Sequence, residues 1–346
     1  MPVFSSRTAK GCILLITVSV LSILIVVPKV HSAYLNMTLV TENQIYGLSE
    51  TVVLTGNLTL GENPVADGLV AIEVRDEPTL YFSFRTVQTG SITPTSNLVN
   101  YTQLYPCDSD GHPQYTFAKG STLWIYLGIK NYDSISHHVT VAISLYDSNN
   151  VPLYAWAPAS EDLDPGSFLT GFFLATQLSG FDLGTYKIYA SAFSNLPSSH
   201  GYAYCPEQTA TFTVASGTLS GEKGVYLQSP FQTYNTEGTY TSLFRLPKVG
   251  RIGTHYVYTG TYYNGKTAFR GMAFPVVLIG DINKDNYVEM MDFFYMSTSF
   301  GSQQGDPRFN KDCDIFPWPD GDGLVEMMDF YLLSIHFGDH VQGQGE

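Results

Sequence analysis

Residues 34 to 279 form a long series of short alternating segments, and this pattern constrains the fold more than any other feature of the sequence. Thr51 to Leu60 reads TVVLTGNLTL and Gly68 to Arg75 reads GLVAIEVR, with apolar residues at alternate positions. Two later segments, Leu123 to Lys130 and Val139 to Tyr146, place aliphatic side chains on one face in the same way. Because Gly, Pro, Asn and Asp turns separate these segments, we predict a mainly β fold built from antiparallel sandwiches.

Two segments rich in tyrosine echo each other and indicate how the strands group. Leu183 to Phe193 reads LGTYKIYASAF, and Ile252 to Tyr262 reads IGTHYVYTGTY. The second leads into Asn264-Gly265, a dipeptide typical of a type I′ hairpin turn. If each echo belongs to the closing hairpin of a sandwich, one sandwich ends near residue 215 and the other near residue 278.

The stretch from 34 to 88 contains about 55 residues, which is too short for a sandwich of roughly 100 residues. We therefore predict a first sandwich made of 34–88 plus 217–278, with a second sandwich, 89–216, inserted into it. Three sequential domains are the alternative, and the sequence supports the two arrangements almost equally. The inserted arrangement predicts contacts between Val70 to Val74 and the strand around Tyr256 to Tyr258.

The first of these segments also carries a family resemblance. IYGLSETVVLTGNLTL, a proline turn and DGLVAIEVRDEP together resemble the first strands of immunoglobulin-like and macroglobulin-like domains in microbial surface proteins. The resemblance covers about 50 residues and implies that the two sandwiches are immunoglobulin-like. It carries no functional residue across.

The N-terminus has the pattern of an export signal. Arg7 and Lys10 precede an apolar stretch from Gly11 to Val27, and the small-residue run His31-Ser32-Ala33 follows. We predict that residues 1–33 are a cleaved signal peptide or an N-terminal membrane anchor through residues 11–27, since that stretch reaches the lower length limit of a membrane span. Both alternatives predict an extracellular protein, secreted or attached to the cell surface.

Charge and cysteine content narrow the chemistry. The 17 Lys and Arg against 31 Asp and Glu give a net charge of −14, which argues against a nucleic-acid partner and provides oxygen ligands for hard cations. Cys12 lies in the leader. We predict a disulfide between Cys107 and Cys205, which could bracket one domain in an oxidising compartment, and a buried free thiol at Cys313.

The hexapeptide VEMMDF occurs twice, at 288–293 and 325–330, at a distance of 37 residues. Counting from Asp281, oxygen-bearing residues before and within the first copy fall at the ligand positions of an EF-hand-type calcium loop. The predicted ligands of this first loop are Asp281, Asn283, Asp285, the Tyr287 carbonyl, Glu289 and Asp292. Only hard oxygen donors occupy these positions, so calcium is the expected cofactor.

The second loop departs from the regular spacing. Its predicted ligands are Asp314, Asp320, Asp322, the Leu324 carbonyl, Glu326 and Asp329. Regular spacing would put the first ligand at Trp318, and Asp314 precedes what looks like a four-residue insertion. We expect either that Asp314 reaches the metal over a bulged loop or that this site binds calcium weakly.

A short helix is predicted after each loop, ended by Gly301 and by Gly338. The predicted core positions of the two helices are Phe293, Met296 and Phe300, and Phe330, Leu333 and Phe337. Val288 and Val325 are expected to link the paired loops.

A duplicated calcium loop followed by a single helix, opening with GD-x-N-x-D, resembles the dockerin family over Gly280 to Gly338. The resemblance implies a small helical module, residues 279–340 with a tail at 341–346, that binds two calcium ions. It also implies attachment to a cohesin-like or other surface protein. The methionine pairs, Met290 with Met291 and Met327 with Met328, either pack under the loops as an apolar stripe or form the partner surface.

No nucleophile elbow, phosphate loop or zinc-binding histidine pair occurs in the sequence, so we predict a protein that is not an enzyme. The leading hypothesis is an exported protein in which β-sandwiches are joined to a calcium-stabilised attachment module. The alternative is a carbohydrate-binding accessory protein of a polysaccharide-degrading assembly, with Trp124 or Trp156 as the sugar platform. A hydrolase accessory or remnant is a third hypothesis, which rests on the dockerin resemblance alone.

Overall fold

The computed structural model describes residues 33–77, 79–91, 98–217 and 236–343. The chain divides into two units, Met1–Tyr34 and Leu35–Glu346, and all strands and helices given below belong to the second. The predicted signal peptide or anchor, apart from Ala33, lies outside the described residues. Within the described ranges, no helix has the length and apolar character needed to cross a membrane.

The described chain is mainly β, as the alternating pattern predicts. The strands are β1 (Leu35–Met37), β2 (Val40–Thr41), β3 (Tyr46–Gly47), β4 (Thr51–Leu60), β5 (Asn63–Pro64), β6 (Leu69–Glu77), β7 (Leu80–Gln88), β8 (Val99–Cys107), β9 (Thr116–Ala118), β10 (Thr122–Asn131), β11 (His137–Tyr146), β12 (Pro152–Leu163), β13 (Phe168–Gln177), β14 (Gly184–Phe193), β15 (Gln208–Ala215), β16 (Thr239–Arg245), β17 (Val249–Gly250), β18 (Gly253–Tyr263), β19 (Lys266–Val277) and β20 (His340–Val341). The helices are α1 (Met290–Ser299) and α2 (Met327–Ile335), with short 3-10 helices at Leu178–Gly180, Pro197–Ser199 and Lys311–Cys313.

Two sheets made from both ends of the β region form what we call the discontinuous sheet pair. One sheet has the order β1-β4-β16, with β2 and β5 also paired to β4, and the other has the order β3-β19-β18-β6-β7. Strand β6 pairs antiparallel with β18, which aligns Val74 with Val257 and Ile72 with Thr259. This is the contact that distinguishes the inserted arrangement from three sequential domains.

The chain between β7 and β16 forms a second set of two sheets, which we call the continuous sheet pair. Their orders are β13-β10-β8 and β12-β11-β14-β15-β9. Leu123, Ile125, Leu127 and Ile129 of β10 are fully buried in its core, as their alternation predicts. Strand β11 differs, because Val139 to Tyr146 are buried on both faces. Its second face packs against β7, where the backbone N–H of Phe84 donates to Ser144 Oγ at 2.7 Å.

The tyrosine-rich echo corresponds to β14 and β18, each followed by the last strand of its sheet pair, β15 or β19. The β18–β19 turn has φ of 48° at Asn264 and 75° at Gly265. Positive φ at both central residues is the requirement of a type I′ turn. The predicted hairpin is therefore confirmed.

Buried charges join the two sheet pairs. Arg85 on β7 donates to Glu207 through Nε at 3.0 Å and Nη2 at 2.7 Å, and Glu207 also accepts the backbone N–H of Thr86 at 2.9 Å. The Arg85 guanidinium lies 3.8 Å from the ring centroid of Tyr189. Burial works to lower the pKa of Arg85, but the Glu207 charge and hydrogen bonds hold that pKa raised. The junction thus contains a charge pair that the protein satisfies internally.

The predicted disulfide between Cys107 and Cys205 is wrong, since both are free and buried. The Cys205 thiol interacts with the backbone N–H of Tyr101, six residues before Cys107 on β8. Six residues of strand span about 20 Å, whereas a disulfide needs α-carbons within about 7 Å. Burial raises the pKa of both thiols to about 12. Cys313 is also a free buried thiol, as predicted.

Candidate metal centre

The first loop, Asp281 to Asp292, is shaped by the carboxylate at its start. Asp281 accepts the backbone N–H of Asp285 on Oδ1 at 3.1 Å and that of Asn286 on Oδ2 at 3.0 Å. Asn286 has φ of 72°, in the left-handed region that asparagine tolerates better than most residues. Asp281 therefore closes a tight turn over Asp285 and Asn286.

The carboxylate at the end of the first loop is fully buried. Asp292 Oδ1 accepts the backbone N–H groups of Ile282 at 2.8 Å and Asn283 at 3.2 Å, and Oδ2 accepts that of Glu289 at 2.8 Å. The bond to Glu289 is half of a capping box that begins α1. Asp292 thus joins the start of the loop to the start of the helix.

The second loop, Asp314 to Asp329, repeats this pattern of hydrogen bonds. Asp314 accepts the backbone N–H of Asp322 at 3.0 Å and of Gly323 at 2.9 Å. Asp329 accepts those of Ile315 at 2.7 Å, Phe316 at 2.8 Å and Glu326 at 2.7 Å, and its counterpart Asp292 accepts the equivalent three. Asp314 is therefore the counterpart of Asp281 in this hydrogen-bond pattern. The backbone between Asp314 and Asp322 is four residues longer than that between Asp281 and Asp285.

The same pattern aligns Phe316 with Asn283, because each backbone N–H is bonded to the last carboxylate of its loop. Asp320 then falls within the insertion, exposed to solvent, and its role as a ligand stays a prediction. Gly321, with φ of 70°, lies so close to Asp314 that a Cβ there would collide with the carboxylate. The insertion therefore rejoins the loop at a position that only glycine can occupy.

The loop carboxylates lack basic partners. Within the described residues, no Lys or Arg nitrogen lies within 4.0 Å of a predicted ligand carboxylate. Lys284, inside the first loop, pairs instead with Asp312 at 3.1 Å. Burial raises the pKa of Asp281, and the charge of Asp292 raises it further against the backbone N–H donors. The loop therefore holds excess negative charge, which a cation would neutralise.

The donor chemistry of both loops fits a hard divalent cation, because carboxylates and carbonyls predominate. The loop carboxylates do not, however, form a group of three with ligand atoms within 4.8 Å of one another. Among the described residues, the group that meets this spacing is Asp108, Asp110 and His112, in the turn after β8. Sequence reasoning missed this group, although the D-x-D-x-H spacing of DSDGH was its signal. Asp108 Oδ1 accepts the backbone N–H groups of Asp110 and His112, each at 2.9 Å.

The methionine pairs are on the surface, and the prediction that they pack under the loops is wrong. Met290 is 69% exposed and Met327 is 68% exposed, with Met291 and Met328 also exposed. One turn further along the two helices, Phe294 and Tyr331 are exposed as well. Each helix therefore presents an apolar face to solvent, and the two faces occupy equivalent positions in the repeats.

The helix cores are confirmed only in part. Met296 and Leu333 are fully buried, but Phe300 and Phe337 lie just beyond the ends of α1 and α2 and are exposed. The Phe300 ring still contacts Phe330 of the other repeat, with centroids 5.2 Å apart. Gly301 has φ of 72° and Gly338 has φ of 86°, as expected of residues that end a helix.

The two valines join the repeats in a different way from the predicted loop-to-loop link. The backbone N–H of Val288 donates to Asp339 O, and that of Val325 donates to Ser302 O, each at 2.9 Å. Each loop is thus bonded to the residues that follow the other repeat's helix. This crossing makes the two repeats interdependent.

Strand β20 joins the C-terminal segment, residues 280–343, to the chain between β16 and β18 in a separate two-stranded sheet. It pairs in parallel with β17, and the backbone N–H of His340 donates to Lys248 O at 3.0 Å. On its other side, Val341 N–H donates to Asn286 O in the first loop at 3.1 Å. Ser49 Oγ adds a bond of 2.7 Å to the buried Asp339 carboxylate. The first loop is therefore attached through one short strand to β17, which lies between β16 and β18 in the chain.

No family model matches the chain, and no curated protein matches it significantly. Among solved structures, the C-terminal domain of wzt shares 8% identity over 38% of this chain and 86% of that one, with a TM-score of 0.31. A Bacteroides uniformis β-glucuronidase covers 47% of this chain and 26% of its own at 11% identity, with a TM-score of 0.28. A Listeria innocua β-glucosidase in complex with glucose covers 42% and 19% at 16% identity, with a TM-score of 0.25. Likenesses this weak support no argument about function.

Proposed function

We propose that the C-terminal segment is a dockerin-like calcium-binding module, and that it attaches two immunoglobulin-like sandwiches to a partner outside the cell. On this proposal the chain is exported and is not an enzyme. The observation that carries the proposal is the repeated hydrogen-bond pattern of Asp281 with Asp292 and of Asp314 with Asp329. Two loops of different length keep the same pattern, which indicates a shared requirement on the backbone.

In the first loop, calcium would be held by Asp281, Asn283, Asp285, the Tyr287 carbonyl and Asp292, with Glu289 at the helix start. In the second, Asp314, Asp322, the Leu324 carbonyl and Asp329 would hold it, with Glu326 at the helix start. Bound calcium supplies positive charge and draws oxygen donors together. The protein's own carboxylates orient the backbone, and their excess charge favours the cation. Fewer side chains are available in the second loop, so we expect weaker binding there.

The exposed helix faces suit a protein partner. Met290 with Phe294 and Met327 with Tyr331 form two equivalent apolar patches on one small segment. Unbranched methionine side chains adapt to different partner shapes. We therefore propose a cohesin-like or other surface protein as the partner, with the methionines at the centre of the contact.

Calorimetric titration of the whole chain with calcium tests the proposal. We expect two binding events, with Asp281→Asn removing the tighter and Asp314→Asn removing the weaker. Asp108→Asn serves as the matched control, because Asp108 belongs to the other acidic group, and should leave both events unchanged. Heat that disappears only in Asp108→Asn, or no calcium binding at all, would contradict the proposal.

A further inference from the structure

The continuous sheet pair contains an open pocket of about 510 Å³ at the end where β8, β9, β10 and β13 meet. Trp124 and Phe117 supply its apolar surface, and Asp108, Gln114, Thr122 and Gln177 are among its polar lining residues. A volume of this size holds a small ligand. The pocket shares no residue with either calcium loop.

The apolar part of the pocket is anchored in the protein core. Phe117 is buried, and its ring packs edge-on against Phe212 with centroids 5.8 Å apart. Trp124 is half-buried, on the face of β10 opposite the buried Leu123 and Ile125. Its large ring therefore borders the pocket from a rigid strand.

The polar part is held in place before any ligand binds. Gln177 Nε2 donates to Thr122 Oγ1 at 2.8 Å, and Gln114 Nε2 donates to Thr116 O at 2.8 Å. The carbonyl oxygen of each amide can still accept a hydrogen bond from a hydroxyl group. Asp108 Oδ1 accepts the backbone N–H groups of Asp110 and His112, each at 2.9 Å, which fixes the orientation of its carboxylate. The pocket thus has an oriented carboxylate and two fixed amides next to an indole ring.

From these features we infer that the pocket binds a neutral polysaccharide, with Trp124 against the C–H face of one sugar ring and Asp108, Gln114 and Gln177 bonded to its hydroxyls. A pyranose has an apolar face and a rim of hydroxyls, which match an aromatic ring beside oriented acceptors. The Asp108 carboxylate disfavours acidic sugars, because like charges repel at short range. Trp156, the other tryptophan that the sequence offers as a sugar platform, packs against the core of the same sheet pair and is not a lining residue of this pocket.

Native gel electrophoresis of the whole chain tests the inference. The gels contain β-glucan, xylan, mannan or starch as neutral polysaccharides, or polygalacturonate as the acidic one. We expect retardation by at least one neutral polysaccharide and none by polygalacturonate. Retardation by no neutral polysaccharide, or by polygalacturonate alone, would overturn the inference.

Variants locate the binding. For the retarding polysaccharide, Trp124→Ala should weaken the affinity at least about tenfold, and the exposed Gln177→Ala roughly fivefold. Gln177 lies at the end of β13, so that variant keeps the test valid if Trp124→Ala does not fold. Trp156→Phe is the control and should bind normally. Equal retardation of Gln177→Ala and the unmodified chain would also overturn the inference.

The calcium proposal and this inference fail separately. Asp281→Asn should lose a calcium event while retaining polysaccharide affinity, because Asp281 is not part of the pocket. A parallel loss of both activities in that variant would contradict the independent pocket.

Discussion

Buried carboxylates occur at the junction of the two sheet pairs and in the C-terminal loops, but only the junction provides a basic partner. Glu207 is bonded to Arg85, and the fully buried Glu73 is bonded to Arg75 at 2.5 Å. In contrast, the fully buried Asp292 and Asp329 receive backbone N–H groups alone. The carboxylates at the junction are therefore neutralised by arginines of the protein itself. The loops retain uncompensated negative charge, which favours binding of an external cation.

The largest effect should come from breaking the junction. Glu207→Ala leaves the Arg85 guanidinium buried without its carboxylate and should lower the free energy of unfolding by about 3–5 kcal/mol. Denaturant unfolding in calcium and in a chelator should show the same loss in both, since the loops are untouched. The exposed Glu161→Ala is the control. A loss that appears only without calcium would show that the two regions are not distinct.

A neutral buried group sharpens the comparison. Burial lowers the pKa of His255 from 6.5 to about 4, and its ring lies between Phe82 and Phe274. Below pH 6.5 this imidazole is protonated in the unfolded chain but stays neutral in the folded chain. The free energy of unfolding should therefore decrease by roughly 3 kcal/mol as the pH is lowered from 6.5 to 4. His255→Leu should remove this slope in denaturant unfolding curves, and the exposed His112→Leu should keep it.

Calcium should act on the loops alone. At 100 times its dissociation constant, calcium should stabilise the C-terminal segment by about 2.7 kcal/mol per loop. Asp314→Asn should remove the contribution of the second loop, measured as the melting-temperature difference between calcium and chelator.

The melting-temperature difference between calcium and chelator should also decrease as the pH is lowered, and the decrease should begin at a higher pH than an ordinary aspartate would give. Burial raises the pKa of Asp281, and a protonated carboxyl binds calcium poorly. An unchanged difference at low pH would contradict this assignment.

The smallest effect is expected at the exposed methionines. Replacing Met290 and Met327 by serine should change the free energy of unfolding by less than about 0.5 kcal/mol, because neither side chain is buried. Met296→Ser, at a fully buried position of the same helix, should cost about 2–5 kcal/mol. Denaturant unfolding of both variants would show whether the apolar face is free for a partner or supports the fold.

Local patterns in the sequence predicted local structure well. Alternation located β4 and β10, and Asn264-Gly265 predicted the turn between β18 and β19, because both depend on residues close in the chain. The echo of two hairpins even led to the β6–β18 contact, since the first stretch was too short to close a sandwich alone.

Features that depend on distant residues were missed or wrong. The Arg85–Glu207 pair joins residues 122 positions apart, and nothing in either local pattern indicates the other. The predicted Cys107–Cys205 disulfide is wrong because the distance between Cys107 at the end of β8 and Cys205 in the segment before β15 is set by contacts between distant parts of the chain. In the second loop, the sequence indicated a four-residue insertion after Asp314 but left open how the loop closes, and the bonds of Asp314 to the backbone of Asp322 and Gly323 answer that question. Counting positions detects such an insertion but does not show the path of the backbone across it.

Strand β20 has a mechanical consequence for the attachment function that we propose. The C-terminal segment follows β19 directly and returns to β17 through β20, so it is tethered at both ends. Two tethers prevent the segment from swivelling about a single linker. If the helix faces bind a partner as we propose, a pull on that partner would pass into the sheets along two routes, and the orientation of the partner would follow that of the sheet pairs.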